Sequence, residues 1–182
     1  HATSKNNMVV ANAQDATIAN NGDLISVSIN SSSSEGPTDD LRIKPDITGN
    51  GTDLYSTYAS SDTAYASITG TSMASPNVTG SLLLLQQHYN VTNASFMRSA
   101  TLKGLALHTA DDAGPAGPDA VYGWGLLNAK LAAETISENG VASRIEELTL
   151  SSGQSYTTTA DSDGINDLMA SISWTDVPGV VN

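Results

Sequence analysis

The chain contains no cysteine, few basic residues and no long apolar run. Its 182 residues include 7 lysines and arginines against 19 aspartates and glutamates, for a formal net charge of −12. Without cysteine there is no disulfide framework, no Cys-x-x-Cys redox pair and no thiolate metal site. A chain this acidic is a poor ligand for nucleic acid, because it has few cations to displace phosphate counterions. No apolar stretch approaches the ~18 residues of a membrane helix.

What the composition does contain favours a folded, well-solvated protein. Hydrophobic residues make up 39% of the chain and charged residues only 14%, so the chain can bury a core. The length suits one domain, or one domain with part of another. Few lysines and many Ser, Thr, Asn and Gly residues favour a secreted protein, and we expect any export signal to lie upstream of residue 1.

The first seventy residues are predicted to form short strands in polar loops, and the spacing then becomes helical. Pro76 suits the first turn of a helix, where its missing N–H is harmless. A second helix is predicted to start at Thr92 or Asn93, which are good N-caps, and a third to span residues 126–136. Strands are predicted at residues 7–11, 25–29 and 53–58. The first helix is predicted to bury Val78, Leu82, Leu85 and Tyr89, with Leu83 and Leu84 widening the buried face. The second helix is predicted to turn Phe96, Ala100 and Leu107 inward.

The composition shifts near Asn139, and the remainder of the chain is predicted to be a different unit. Residues 145–150, 155–159 and 168–174 favour strands, the last by clear alternation of apolar and polar residues. Two or three strands are too few for an independent sandwich. This segment is therefore either an appendage or the start of a larger β domain, which divides the chain into residues 1–139 and 140–182.

An acidic loop in this segment offers hard oxygen ligands. Asp161, Asp163 and Asp167 flank a glycine, and carboxylates of this kind suit Ca²⁺. The loop lacks the twelve-residue EF-hand pattern and its closing Glu, so a solvated turn is the competing interpretation. The three aspartates are candidate ligands for a structural calcium ion.

The segment at residues 70–80, GTSMASPNVTG, carries the most chemical information. Ser72 lies at the start of the predicted long helix, where backbone N–H groups and the helix dipole favour a developing negative charge. Such a position can stabilise the oxyanion of a tetrahedral intermediate, and Gly70 leaves room for a substrate backbone. For an isolated serine, the alternative is a plain helix N-cap.

This segment resembles the active-site serine motif of the subtilisin-like serine proteases, the subtilases. Two more stretches resemble the same family in the family's order: SEGPTDDLRIKPD at residues 34–46 and YGWGLLNA at residues 122–129. The resemblance spans residues 4–136. The stretch at residues 172–179 is similar to the β-sandwich that follows the catalytic domain in some larger subtilases.

The resemblance implies an α/β fold: the C-terminal part of a doubly wound, mainly parallel sheet, followed by an incomplete β-sandwich. It implies hydrolysis of protein or peptide substrates through an acyl-enzyme, with Ser72 as nucleophile, the Ser72 N–H as an oxyanion donor and no cofactor in the chemistry. The family's Asp, His and oxyanion Asn motifs are absent and are expected upstream of residue 1, so we expect the chain alone to be inactive. Half a sheet is also expected to leave an exposed edge that favours self-association.

None of the three histidines has the features of the family's base. His1 lacks the His-Gly-Thr context of that base. His88 lies sixteen residues beyond Ser72 on the same predicted helix, about 24 Å along its axis, and His108 falls near the end of the next helix. A serine without a base in hydrogen-bond reach is a weak nucleophile.

Two other functions are open at this stage. An α/β-hydrolase such as an esterase carries Gly-x-Ser-x-Gly, but here Ala74 stands at the last position, and no Asp or Glu lies between Ser72 and His108. A non-catalytic module that keeps the subtilase shape and only binds has the same sequence in this segment. The residues upstream distinguish them, because intact Asp-x-Gly and His-Gly-Thr motifs indicate the enzyme.

Overall fold

The computed structural model describes residues 3–165 and 167–176, which combine short strands with three helices. The helices are α1 (Thr71–Asn93), α2 (Ser99–His108) and α3 (Ala129–Ser137). The strands are β1 (Val10–Ala13), β2 (Thr17–Ile18), β3 (Leu24–Ser26), β4 (Ile47–Asn50), β5 (Leu54–Thr57) and β6 (Tyr65–Ile68).

The central sheet is parallel, as the resemblance implies. β1 pairs in parallel with β4 along the whole length of both strands. Leu126 adds a parallel bridge to Thr48, whose N–H donates to the Gly125 carbonyl at 2.9 Å and whose carbonyl accepts from the Leu127 N–H at 3.0 Å. β2 with β3, and β5 with β6, form antiparallel hairpins. A helix-and-strand fold with a parallel sheet is therefore confirmed.

The YGWG stretch reaches β4 because its two glycines take conformations that side chains disfavour. Gly125 has φ 118°, and a Cβ there would lie 2.1 Å from the Asp111 carbonyl oxygen. Gly123 has φ 69°, and its Cβ would lie 2.5 Å from the backbone of Asp46. Both positions therefore need glycine, and the motif closes the loop after α2 onto the sheet.

The core lies between α1, the parallel sheet and the other two helices. α1 packs on β1, β4 and α3, and its predicted inward stripe is confirmed. Leu83 and Leu84 are exposed, so the prediction that they widen the buried face is wrong. One buried cluster holds Ile47, Val78 and Ala106, and a second holds Leu85, Tyr89, Met97, Leu105, Ala132 and Ile136.

The predicted start of the second helix is wrong. Thr92 and Asn93 close α1 instead, since Thr92 Oγ1 donates to the His88 carbonyl at 3.0 Å and Asn93 Nδ2 to the Tyr89 carbonyl at 3.2 Å. α2 begins at Ser99, and Phe96 is an exposed residue of the connecting loop. α3 begins three residues later than predicted, where the Asn128 side chain accepts from the Leu131 N–H at 2.8 Å. Among the described residues, no helix has both the length and the apolarity that a membrane span requires.

The strands predicted for the C-terminal segment are wrong. Residues 144–165 and 167–176 contain no strand, so the β-sandwich is not confirmed. Ser171 and Ser173 contact α2, while Ile172 and Trp174 are largely exposed. The stretch at 172–179 lies partly outside the described residues, and the domain boundary after residue 139 stays a prediction.

The outer edge of β1 is partly covered. The Asn12 carbonyl accepts from the Asn30 N–H, and the Gln14 N–H donates to the Ser28 carbonyl, both at 2.9 Å. This neighbouring segment satisfies some of the backbone groups that an open edge strand would present. Self-association through a sheet edge stays a prediction.

Candidate active site

The first turn of α1 is held against the end of β4 by a close backbone contact. The Gly70 N–H donates to the Gly51 carbonyl at 2.8 Å. A Cβ at Gly51 would lie 2.6 Å from the Gly70 carbonyl oxygen and 2.7 Å from the Ala74 nitrogen. Only glycine fits such a gap without moving the helix, so the packing of Gly51 sets where α1 begins.

Ser72 is the second residue of α1, and its side chain is exposed. The N–H groups of Met73 and Ala74 both donate to the Gly70 carbonyl, at 2.9 and 3.2 Å. Within the described residues, the Ser72 Oγ and the N–H groups of Thr71 and Ser72 have no hydrogen-bond partner. Free N–H groups at the start of a helix favour negative charge, so an oxyanion formed beside Ser72 would meet unsatisfied donors.

Polar side chains are paired in the segments that adjoin this turn. Asn12 is fully buried on β1 and donates from Nδ2 to Ser32 Oγ at 3.2 Å. The Asp53 N–H donates to Thr69 Oγ1 at 2.9 Å, and that hydroxyl donates back to Asp53 Oδ1 at 3.2 Å. Because Thr69 directly precedes Gly70, this reciprocal pair fixes the chain as it enters α1.

The structure brings no histidine to Ser72 within the described residues. His88 lies four turns along α1, and its Nε2 is 2.8 Å from Ser137 Oγ. His108 ends α2, and its Nδ1 is 2.7 Å from Ser171 Oγ. His1 lies outside the described residues. This part of the chain therefore presents a serine and backbone donors, and no base is hydrogen-bonded to that serine.

The stretch at residues 34–46 ends in a buried ionic cluster that sequence reasoning missed. Asp46 accepts from the Val9 N–H at 2.7 Å, from Lys44 Nζ at 2.6 Å and from Lys103 Nζ at 3.0 Å. Burial lowers the pKa of Lys44, and the bond to Asp46 opposes that shift. The cluster ties the N-terminal segment, β4 and α2 together, and its signal in the sequence was the charged pair around Pro45.

The candidate calcium ligands are not brought together by the structure. Asp161, Asp163 and Asp167 lie on an exposed loop, where Asp163 Oδ1 accepts from the Ile165 N–H at 2.9 Å. Across residues 3–165 and 167–176, no group of three or more His, Cys, Asp or Glu side chains is placed to hold a metal ion.

The described residues thus place an exposed serine in the first turn of a long helix that packs on a parallel sheet. The chain belongs to the subtilase family, whose model matches residues 1–125. The family resemblance drawn from the three sequence stretches is thereby confirmed.

Individual relatives match over shorter stretches. The PII-type proteinase of Lacticaseibacillus paracasei is 44% identical over 75 residues, which are 41% of this chain and 4% of that protein. Subtilisin DY of Bacillus licheniformis is 38% identical over 84 residues, 46% of this chain and 27% of that protein. The chain thus spans a small part of the length of these relatives.

Solved structures agree on the fold. The Clostridium perfringens CspB protease aligns with a TM-score of 0.55 and 25% identity, over 61% of this chain and 24% of that one. The prenylagaramide maturation protease PagA aligns with a TM-score of 0.54 over 73% of this chain and 43% of that one. At 20% identity, the second likeness speaks for the fold alone.

Proposed function

We propose that this chain carries the nucleophile of a secreted subtilisin-like serine endopeptidase that cleaves protein or peptide substrates. One observation carries the proposal: Ser72 is exposed in the first turn of α1, beside N–H groups without partners in the described residues. Family membership supports the reaction class. The names of the relatives, a proteinase and a subtilisin, support peptide-bond hydrolysis.

In the proposed reaction Ser72 Oγ attacks the scissile carbonyl carbon while a base takes the hydroxyl proton. The carbonyl oxygen becomes an oxyanion, which the Ser72 N–H stabilises by a hydrogen bond. The base returns the proton to the leaving amine as the C–N bond breaks, and water then hydrolyses the acyl-enzyme and restores Ser72.

We further propose that the base, its orienting Asp and an oxyanion Asn are supplied by chain preceding residue 1. The support is that no histidine is bonded to Ser72 in the described residues, while His88 and His108 pair with other serines. The 182 residues alone are therefore expected to hydrolyse peptide bonds no faster than background.

A fluorophosphonate probe tests this assignment. In the full-length protein we expect rapid labelling of Ser72, lost in Ser72→Ala and kept in Ser75→Ala, an exposed serine in the same turn. The 182 residues alone should label at the background rate. Absence of labelling at Ser72 in the full-length protein would contradict the proposed nucleophile, and rapid labelling of the short chain would contradict the external base.

A second candidate is a non-catalytic subtilase-like binding module, favoured because no base lies beside Ser72 in the described part of the chain. Substituted Asp-x-Gly and His-Gly-Thr motifs upstream, together with peptide binding and no probe labelling, would select it. No cofactor is required by the proposed chemistry. Calcium at Asp161, Asp163 and Asp167 stays a proposal, and a Tm unchanged between calcium and chelator would remove it.

A further inference from the structure

The hairpin formed by β5 and β6 presents one face to solvent. The register pairs Tyr55 with Ser67 and Thr57 with Tyr65, and directly paired residues of an antiparallel ladder share a face. All four of these side chains are exposed, whereas Leu54, Ala66 and Ile68 on the opposite face are half-buried. We name the face made by Tyr55, Thr57, Tyr65 and Ser67 the aromatic face.

Two tyrosine rings dominate the aromatic face. Tyr55 and Tyr65 are 72% and 56% exposed, and their rings stack with centroids 5.5 Å apart and an interplanar angle of 21°. The stack holds both rings in one orientation, so the two tyrosine side chains lose little conformational entropy when a ligand contacts them. Exposed tyrosines of this kind are typical of surfaces that recognise polypeptide.

The charge around this hairpin has one sign. Residues 45–97 contain no lysine or arginine, and within the hairpin segment Asp53 and Asp62 are both exposed acids. A cationic side chain that lies on the aromatic face would meet no repelling positive charge from residues 45–97. Lysine and arginine are also attracted to tyrosine ring faces, so charge and aromatic surface favour the same partner.

The hairpin leads directly into the candidate active site. β6 ends at Ile68, and Thr69 and Gly70 follow before α1. The reciprocal hydrogen bonds between Asp53 and Thr69 hold the base of the hairpin beside that entry. A polypeptide bound across Ser72 therefore passes close to the hairpin.

We propose that the aromatic face docks a basic, extended segment of the polypeptide substrate next to the scissile bond. This inference rests on the proposed protease function and adds a preference to it: lysine or arginine residues a few positions from the cleavage point. The tyrosine rings supply cation–π contacts, and Asp53 and Asp62 supply the opposite charge.

Fluorescence anisotropy with the full-length Ser72→Ala protein, which cannot cleave, tests the docking. The probes are two labelled twelve-residue peptides, one with alternating Lys and Arg and one with Gln at those positions. The basic peptide should bind about tenfold more tightly, and added salt should reduce the difference. The double variant Tyr55→Val with Tyr65→Val keeps strand propensity. It should lower the affinity for the basic peptide about five- to tenfold, since each exposed cation–π contact contributes about two- to fivefold in affinity.

Matched variants separate docking from unfolding. Tyr55→Phe with Tyr65→Phe keeps both rings and should bind nearly as the parent does, and Phe96→Val, an exposed ring away from the hairpin, should change nothing. Equal affinity for the two peptides, or no loss in the valine variant, would overturn the inference. Probe labelling of Ser72 with no peptide preference would reject the docking face and leave the protease; the reverse pattern would reject the protease and leave the docking face.

Discussion

The body of the chain, residues 3–139, and its tail, residues 140–165 and 167–176, use similar apolar side chains with opposite results. In the body Ile47, Ile136 and their neighbours are buried, whereas in the tail Leu168 and Ile172 are exposed. The tail has the clearer alternation, yet it forms no strand. An alternating pattern produces a strand only where a second surface covers one face and a partner strand takes the backbone hydrogen bonds.

The largest effect is expected where the body buries charge. Asp46→Asn removes the one anion that Lys44 and Lys103 share, and Lys44 is almost fully buried. Stranding a buried cation costs about 3–5 kcal/mol, so we expect a loss of that size in urea unfolding of the intact protein. Asp161→Asn in the exposed tail, measured in chelator so that no calcium contributes, is the control and should change stability by less than about 0.5 kcal/mol. A loss below about 1 kcal/mol for Asp46→Asn would mean that the cluster is not tightly packed.

A matched pair of isoleucines tests the comparison directly. Ile136 is 2% exposed and Ile172 is 87% exposed. Ile136→Ala should lower the free energy of unfolding by about 2–5 kcal/mol, because it leaves a cavity between α1 and α3. Ile172→Ala should change it by less than about 0.5 kcal/mol. Equal losses would show that the tail is covered in solution.

A glycine pair tests the close packing at the site. Gly51→Ala should cost about 1–3 kcal/mol and slow labelling of Ser72, because the new methyl meets the Gly70 carbonyl and the Ala74 nitrogen. Gly80 on α1 has no heavy atom near its missing Cβ, so Gly80→Ala should stabilise by up to about 1 kcal/mol. Unchanged labelling in Gly51→Ala would show that the first turn of α1 does not depend on this contact.

The smallest effect is expected where the tail touches the body. Glu147 accepts from the Arg98 N–H at 2.7 Å and from Thr101 Oγ1, and so caps α2 from a distance in sequence. Glu147→Gln should cost about 1 kcal/mol and speed hydrogen exchange in the first turn of α2. Among the described residues, Glu146 bonds to Arg144 and Tyr156, both in the tail, so Glu146→Gln should leave α2 unchanged. Equal hydrogen-exchange rates in both variants would contradict the capping role of Glu147.

The sequence predicted those parts of the fold whose cause is local. Pro76 and the spacing of Val78, Leu85 and Tyr89 were enough to predict α1, and Ser72 was found at its first turn. The exposure of Leu83 and Leu84 was not predictable in the same way, because the pattern shows which residues are apolar and not which face is covered.

The errors occurred where distant contacts decide. Thr92 and Asn93 have the chemistry of N-caps, but the same groups can bond back to carbonyls of their own helix, and they do so here. The cap that α2 uses is Glu147, nearly fifty residues away, and the sequence around α2 gives no indication of it. β4 was missed because it is short and contains a glycine, and its place depends on pairing with β1.

The proline that follows Lys44 has a practical result for digestion experiments. Trypsin cuts after lysine and arginine but resists a following proline, and residues 45–97 hold neither basic residue. A tryptic digest therefore yields the span from Ile43 to Arg98 as one peptide, even when the protein is unfolded. That peptide contains Ser72, both stacked tyrosines and all of α1, so one mass measurement reports modification at the serine and at the hairpin together.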